Sequence, residues 1–204
     1  MNYRYICIER EYGSGGTEIG RRLAARCGIP CYGREILDQV AEKLGTTVEL
    51  IQQYEENSTG SMLYSLVMLG RLQSGSSNFL AGEDYIYLEE QAVIRRLAHN
   101  GPAVFLGHCA AKALEDRAGV LRVFIHASPV EKQRRVVQDY RIPPASAEAV
   151  MRKFDRKRRN YFNANTKQRW EDLHSYDLVL DSSALGQEGC VELLQRTLSD
   201  GICE

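Results

Sequence analysis

The sequence predicts an α/β domain in which a parallel sheet of about five strands is covered by helices on both faces. Three observations carry this. Short apolar runs at 5–8, 103–106, 121–125 and 177–181, with a shorter one at 29–32, are separated by longer stretches of helical spacing. The first run passes through the glycine-rich turn Gly13-Ser14-Gly15-Gly16 straight into a helical pattern. Neither a repeat nor an interdomain linker interrupts the 204 residues, so 1–204 reads as a single domain.

Taken in order, the opening strand leads to Arg10-Glu11-Tyr12-Gly13-Ser14-Gly15-Gly16-Thr17, followed by Ile19, Gly20, Leu23 and Ala24 at helical spacing. Glycines at 13, 15 and 16 permit positive φ and close backbone approach, so several N–H groups can converge on one anion. The helix adds its unpaired first-turn N–H groups and the positive end of its dipole. Gly13 to Thr17 are therefore candidate phosphate ligands. The standard pattern G-x-x-x-x-G-K-[ST], laid over 10–17, finds Gly15 and Thr17. Arg10 stands in place of its first glycine and Gly16 in place of its lysine. The hydroxyl that would hold Mg²⁺ is present on Thr17, and the usual point charge for the β- and γ-phosphates is not. A glycine-rich turn that binds nothing is the competing reading.

Beyond the first helix, 28–33 reads as a helix stop, a short strand and a turn. Ile36, Leu37, Val40, Ala41 and Leu44 then mark a second helix. Helical stretches follow at 46–56, 62–72 and 83–100, broken by Asn57-Ser58-Thr59-Gly60 and by the polar loop 74–78. After the strand at 103–106 comes a short helix at 110–115. The strand at 121–125 is followed by Ser128-Pro129, which caps a helix to about 140. A very basic helix covers 146 to about 162, and a last amphipathic helix covers 187–198. In such a sheet, ligands gather at the carboxyl ends of the strands. Those ends carry 10–16, Tyr32 to Arg34, Gly107-His108 and 126–128, so Tyr32, Arg34 and His108 are candidate ligand contacts.

A formal net charge of −1 argues against bulk attraction to nucleic acid or a membrane surface. The charge is uneven, however. Between Arg117 and Arg169, 14 Lys and Arg face four acids, an excess of ten that suits a polyphosphate ligand. The six cysteines form no C-x-x-C pair or ligand box and read as free thiols in a reducing compartment. No apolar run approaches the ~18 residues of a membrane span, and a cytoplasmic protein is expected. An apolar stripe through Met62, Leu66, Leu69 and Leu72 makes a homodimer one possibility and intramolecular core another.

The chain resembles the nucleoside monophosphate kinase group of phosphate-loop proteins, most closely the cytidylate kinase-like family, whose R-E-Y-G-S-G-G occupies 10–16. Ile29-Pro30-Cys31-Tyr32, Val123-Phe124-Ile125-His126-Ala127 and Tyr176-Asp177-Leu178-Val179-Leu180 extend the likeness over nearly the whole chain. The resemblance implies a three-layer P-loop NTPase fold, with a helical acceptor-side insertion at about 46–100 and a basic lid at about 141–170. It also implies ATP and Mg²⁺ as cofactors and phosphoryl transfer to a small phosphorylated or hydroxyl acceptor, with a nucleoside monophosphate as first choice. Gly13 to Thr17 would cradle the donor phosphates. Arg134 within Lys132 to Arg135, and Asp155, Arg158 and Arg159, match lid residues that contact acceptor and transferred phosphate; Asp155-x-x-Arg158 keeps the spacing. Where cytidylate kinases carry Gly-Arg-Asp, this chain has Gly107-His108-Cys109, and Gly33 stands where an aspartate is common. The resemblance would place Tyr32, Arg34 and His108 on the acceptor side. Arg10, fixed beside the loop, is the candidate to take over part of the missing lysine's role.

Bland readings stand beside these. The basic helix could be a solvated face, His108 a hydrogen-bonded strand end, and Asp155 an intrahelical ion-pair partner. Glu18 reads as a dipole-favoured first-turn acid or a magnesium ligand, and Trp170 as packing for the basic helix. Two functions compete with a kinase: a nucleotide-binding regulatory module without turnover, and a structural dimer.

Overall fold

A computed structural model describes residues 3–56 and 82–198. The strand β1 (Tyr5–Arg10) is buried from Tyr5 to Ile8, as expected for a central strand covered on both faces. Strands β2 (Cys31–Tyr32), β3 (Ala103–Leu106), β4 (Val120–His126) and β5 (Leu178–Asp181) complete a five-stranded sheet of order β2-β3-β1-β4-β5. All its pairings are parallel. Ile8 lies opposite Leu106 on one side and Val123 on the other, so β1 sits between β3 and β4. The chain crosses from β3 to β4 over β1, which makes the carboxyl end of β1 the switch point where such sheets hold ligands.

Alternation along the strands sends Ile6, Ile8, Val104, Leu106, Val123 and Ile125 to one face. There they meet Ile19 and Leu23 of α1 (Gly16–Arg26) and Val191 and Leu194 of α8 (Ser182–Gln195). Tyr5, Cys7, Ala103 and Phe105 point to the other face. They pack on Ile36, Leu37 and Val40 of α2 (Arg34–Leu44), Ile51 of α3 (Val48–Glu56) and Val93 and Ile94 of α4 (Gly82–His99). The three layers follow from that period of two.

The remaining elements cluster at the carboxyl end of the sheet: α5 (Ala110–Ala113), α6 (Pro129–Gln138), α7 (Pro144–Thr166) and a 3₁₀ turn at Leu173–Ser175. The Ser128 hydroxyl accepts the Glu131 N–H at 3.2 Å, with Pro129 in the first turn, so the expected cap of α6 is made. Trp170 is buried edge-on against Phe124 at 5.1 Å, in the packing role read for it.

Two boundaries shift. The basic helix runs over 144–166, longer at both ends than its charge pattern indicated. The last helix begins at Ser182 rather than at 187: Asp181 caps it by accepting the Ser183 N–H at 2.8 Å, and Gly186 (φ 69°) breaks it before the apolar stretch that had marked its start. Cys27 is disulfide-bonded, which departs from the reading of all six cysteines as free thiols; Cys7, Cys31, Cys109 and Cys190 are free. The stripe from Met62 to Leu72, the break at 57–60 and the loop at 74–78 lie outside the described residues. Among the described residues, no helix is long and apolar enough to cross a membrane.

Candidate functional site

The chain leaves β1 at Arg10 and enters α1 at Gly16, and the intervening turn sits at the sheet's switch point. Gly13 (φ 80°) and Gly15 (φ 78°) are left-handed, as the glycine pattern required. Both also permit close packing: a Cβ on Gly13 would lie 2.9 Å from the Lys132 carbonyl oxygen, and one on Gly15 2.7 Å from Gln187 Nε2. Ser14 is fully buried and braces the turn from inside. Its hydroxyl donates to the Glu11 carbonyl at 2.8 Å and accepts the Gly16 N–H at 3.3 Å, while its own N–H donates to Glu11 at 3.3 Å. The N–H groups of Gly13, Gly15, Thr17 and Glu18 meet no protein acceptor among the described residues. Donors of this kind at a helix start are what an anion binds.

Beneath the turn, the Ser14 carbonyl is held by Arg135 Nη1 at 2.7 Å and by the Ser182 hydroxyl at 2.6 Å. Arg135 is buried, and it also donates to the Ser182 hydroxyl at 2.9 Å and pairs with Glu131 at 3.0 Å. Its neighbour Arg134 points outward to Glu131 and Gln138. Of the two arginines, the structure brings Arg135 to the loop, through a partner, Ser182, that the sequence had not singled out. Spacing to Glu131 does not separate the two, since Arg134 pairs with it at i,i+3 and Arg135 at i,i+4.

From above, α7 lies directly on the turn. The Tyr12 N–H donates to Asp155 Oδ1 at 2.6 Å, and Arg158 Nη1 donates to the Arg10 carbonyl at 2.9 Å. The Tyr12 ring stacks on Phe154 at 4.5 Å, meets Tyr140 edge-on at 5.5 Å and faces the Arg158 guanidinium at 5.8 Å. Lys132 approaches Glu11 at 3.0 Å and Asp155 at 3.9 Å. Burial raises the Asp155 carboxyl above its ordinary value, against the Tyr12 N–H that lowers it. Burial likewise pulls Arg158 down, against Asp155 and Glu9. Asp155 and Arg158 thus share one helix face toward the loop, whereas Arg159 turns aside to pair with Glu171.

Arg10 runs across the mouth of the turn. Its Nε donates to Thr17 Oγ1 at 3.4 Å, and a Cβ on Gly107 would fall 2.5 Å from its Nη1, so the guanidinium reaches toward the end of β3. His108 follows there in a left-handed conformation (φ 56°), with Nδ1 3.7 Å from the buried Glu90 carboxylate. Tyr161 of α7 also donates to that carboxylate. Glu9, one residue before Arg10, accepts from Trp170 Nε1 at 3.3 Å. Burial raises its carboxyl, opposed by Arg10, the Trp170 N–H, Arg158 and His108. Glu9 and Glu90 were not singled out in the sequence, although Glu9 continues the Tyr5, Cys7 alternation of β1. Tyr32 lies partly buried against Phe105 at 5.5 Å. Arg34 is exposed beside Asp38 and Glu49 and does not join the cluster. Glu18 pairs with Arg22 at 3.0 Å.

The open N–H donors of the turn suit a phosphate chain, with the cations Arg10, Lys132 and Arg158 and the acids Glu11 and Asp155 clustered around its residues 10–12. For a magnesium ion the fit is narrower. Thr17 offers a hydroxyl, already shared with Arg10, and no group of three His, Cys, Asp or Glu that could hold a metal exists among the described residues.

Solved structures share this fold. An uncharacterized protein from Eubacterium ventriosum ATCC 27560 matches with a TM-score of 0.70 at 22% identity, covering 96% of this chain and 98% of that one. Shikimate kinase from Bacteroides thetaiotaomicron matches with a TM-score of 0.53 at 13% identity, covering 94% and 96%. No curated protein matches at significant sequence similarity. The sequence model of the cytidylate kinase-like family matches residues 5–184, which takes in the loop, all five strands and the basic helix; the chain belongs to that family.

Proposed function

We propose that the chain binds ATP with Mg²⁺ at the turn after β1 and transfers the terminal phosphoryl group to a small acceptor, a nucleoside monophosphate being the first candidate. The observation that carries this reading is the set of open N–H groups at Gly13, Gly15, Thr17 and Glu18, at the carboxyl end of the central strand. Phosphoryl transfer asks little covalent chemistry of a protein; it asks for positioning and neutralisation of charge on phosphate oxygens. Arg10 and Arg158 supply fixed guanidinium groups, and α7 excludes water from the turn. Bound magnesium would add charge neutralisation at the phosphates, with the Thr17 hydroxyl as its protein contact. Tyr32 and His108 line the acceptor side, and the altered Gly107-His108-Cys109 leaves the base to be identified by assay. The insertion and lid keep the chain one domain in this reading, acting on small molecules in the cytoplasm and not on nucleic acid.

The absence of a lysine at Gly16 favours one alternative, a nucleotide-binding regulatory module without turnover. Coupled ADP release with a panel of acceptors (CMP, other nucleoside monophosphates, shikimate) tests the kinase, alongside calorimetric titration with ATP. Acceptor-dependent ADP release supports transfer. Binding without release in any pair supports the module, and no binding removes both.

A further inference from the structure

We propose that Arg10 and Gly16 are two halves of one exchange: the loop's cation has moved from the first helical residue to the last strand residue, and from there Arg10 excludes the standard lysine, or any side chain, at position 16. The inference deepens the nucleotide-binding reading above, and its phosphate arm rests on that reading. Its steric arm stands alone.

A Cβ on Gly16 would lie 2.6 Å from Arg10 Cβ and 3.0 Å from Arg10 Cγ, with Ile125 Cβ next at 3.4 Å. Gly16 is in the regular first turn of α1 and is not among the left-handed glycines, so its backbone does not demand glycine. The Arg10 side chain does. Rotamer changes cannot relieve the contact, because Cβ is fixed by the backbone. With glycine at position 10, both close neighbours vanish and the nearest remaining atom is at a tolerable distance. The departure from G-x-x-x-x-G-K-[ST] at position 16 therefore follows from the departure at position 10. Reversing both would turn residues 10–17 into G-E-Y-G-S-G-K-T, a complete standard loop.

The direction of the Arg10 side chain argues that the charge has been moved rather than lost. Its Nε reaches Thr17 Oγ1, the hydroxyl a standard loop turns to the metal, and its Nη1 passes over Gly107, which leaves room for it. The cation stands on the β3 side of the turn, next to His108, and presents a planar fork in place of a point charge.

The steric arm is tested by placing Gly16→Ala in three backgrounds: parent, Arg10→Ala and Arg10→Gly. Overpacking should lower Tm by about 5 °C in the first two, where a Cβ remains at position 10. In the Arg10→Gly background the same change should leave Tm unchanged or raise it. Equal shifts in all three overturn the exchange. The phosphate arm is tested by calorimetry with Mg·ATP at matched salt. Arg10→Gly should weaken binding by about tenfold or more. Arg10→Gly/Gly16→Lys should return it to within roughly threefold of the parent, and Gly16→Lys alone should bind worse than the parent. A folded double variant that binds no better than Arg10→Gly overturns the relocation of charge. A parent without ATP affinity sinks the nucleotide-binding reading, and the Tm series then decides the exchange alone.

Discussion

Arg135 Nη1 donates to the Ser14 carbonyl at 2.7 Å across 121 residues of chain, and so ties α6 to the turn that opens α1. The buried guanidinium also reaches the Ser182 hydroxyl and pairs with Glu131. Arg135→Met should cost about 3 kcal/mol, because buried acceptors lose a charged donor that the new side chain cannot replace. Arg135→Lys should recover only part of this, since an ammonium lacks the fork. Urea denaturation checks both.

Tyr12 holds the basic helix by its ring as well as by its backbone, with Phe154, Tyr140 and Arg158 around it. Tyr12→Ala should cost about 2 kcal/mol. The loss should be local, appearing as faster hydrogen exchange in 150–160 with little change in 103–106. Uniform acceleration across the sheet would contradict a clamp.

Glu9 gives stability a pH slope of known sign. Burial raises its carboxyl, so the folded state holds the proton more tightly than the unfolded chain does. Between the unfolded value, about 4.3, and the raised folded one, stability falls as pH rises. Glu9→Gln keeps an acceptor for Trp170 and removes the titration. The variant's Tm relative to the parent should climb from pH 4 toward neutrality on the order of the linkage slope; a flat difference would refute the assignment.

Asp177 has the opposite sign. Arg122 grips it through Nε at 3.0 Å and through its backbone N–H at 2.9 Å, and these hydrogen bonds hold the carboxyl below its ordinary value. Its contribution is complete above the unfolded value, about 3.9, and disappears as pH falls through the lower folded one. The Tm gap between parent and Asp177→Asn should therefore close on acidification, without closing at neutral pH.

What could be read beforehand was local in origin. Left-handed glycines, a Ser-Pro cap and the i,i+3 spacing of Asp155 and Arg158 are properties of neighbouring residues, and the structure contains each of them. The order of the strands is not local, nor is the phase of a helix whose neighbours are unknown. Arg134 and Arg135 differ by one step of about 100° around α6, and only the position of β1 and Ser182 decides which of them is buried. The same applies to Arg158 against Arg159. Glu9 escaped notice because a single acid at the end of an apolar run carries no pattern, and the groups that oppose the effect of its burial, Trp170 and Arg158 among them, come from distant parts of the chain.

The supports of the turn have a consequence for synthesis. Its braces come from 121 to 168 residues downstream: Arg135, Asp155, Arg158 and Ser182. A nascent chain that has exposed only its amino-terminal third possesses the glycines and the Ser14 brace but none of these distant groups. Such distant closure is slow and leaves apolar strands uncovered for longer. On the proposed reading, nucleotide selects only finished molecules, and a truncation before Ser182 should leave a protein blind to it however intact its opening motif.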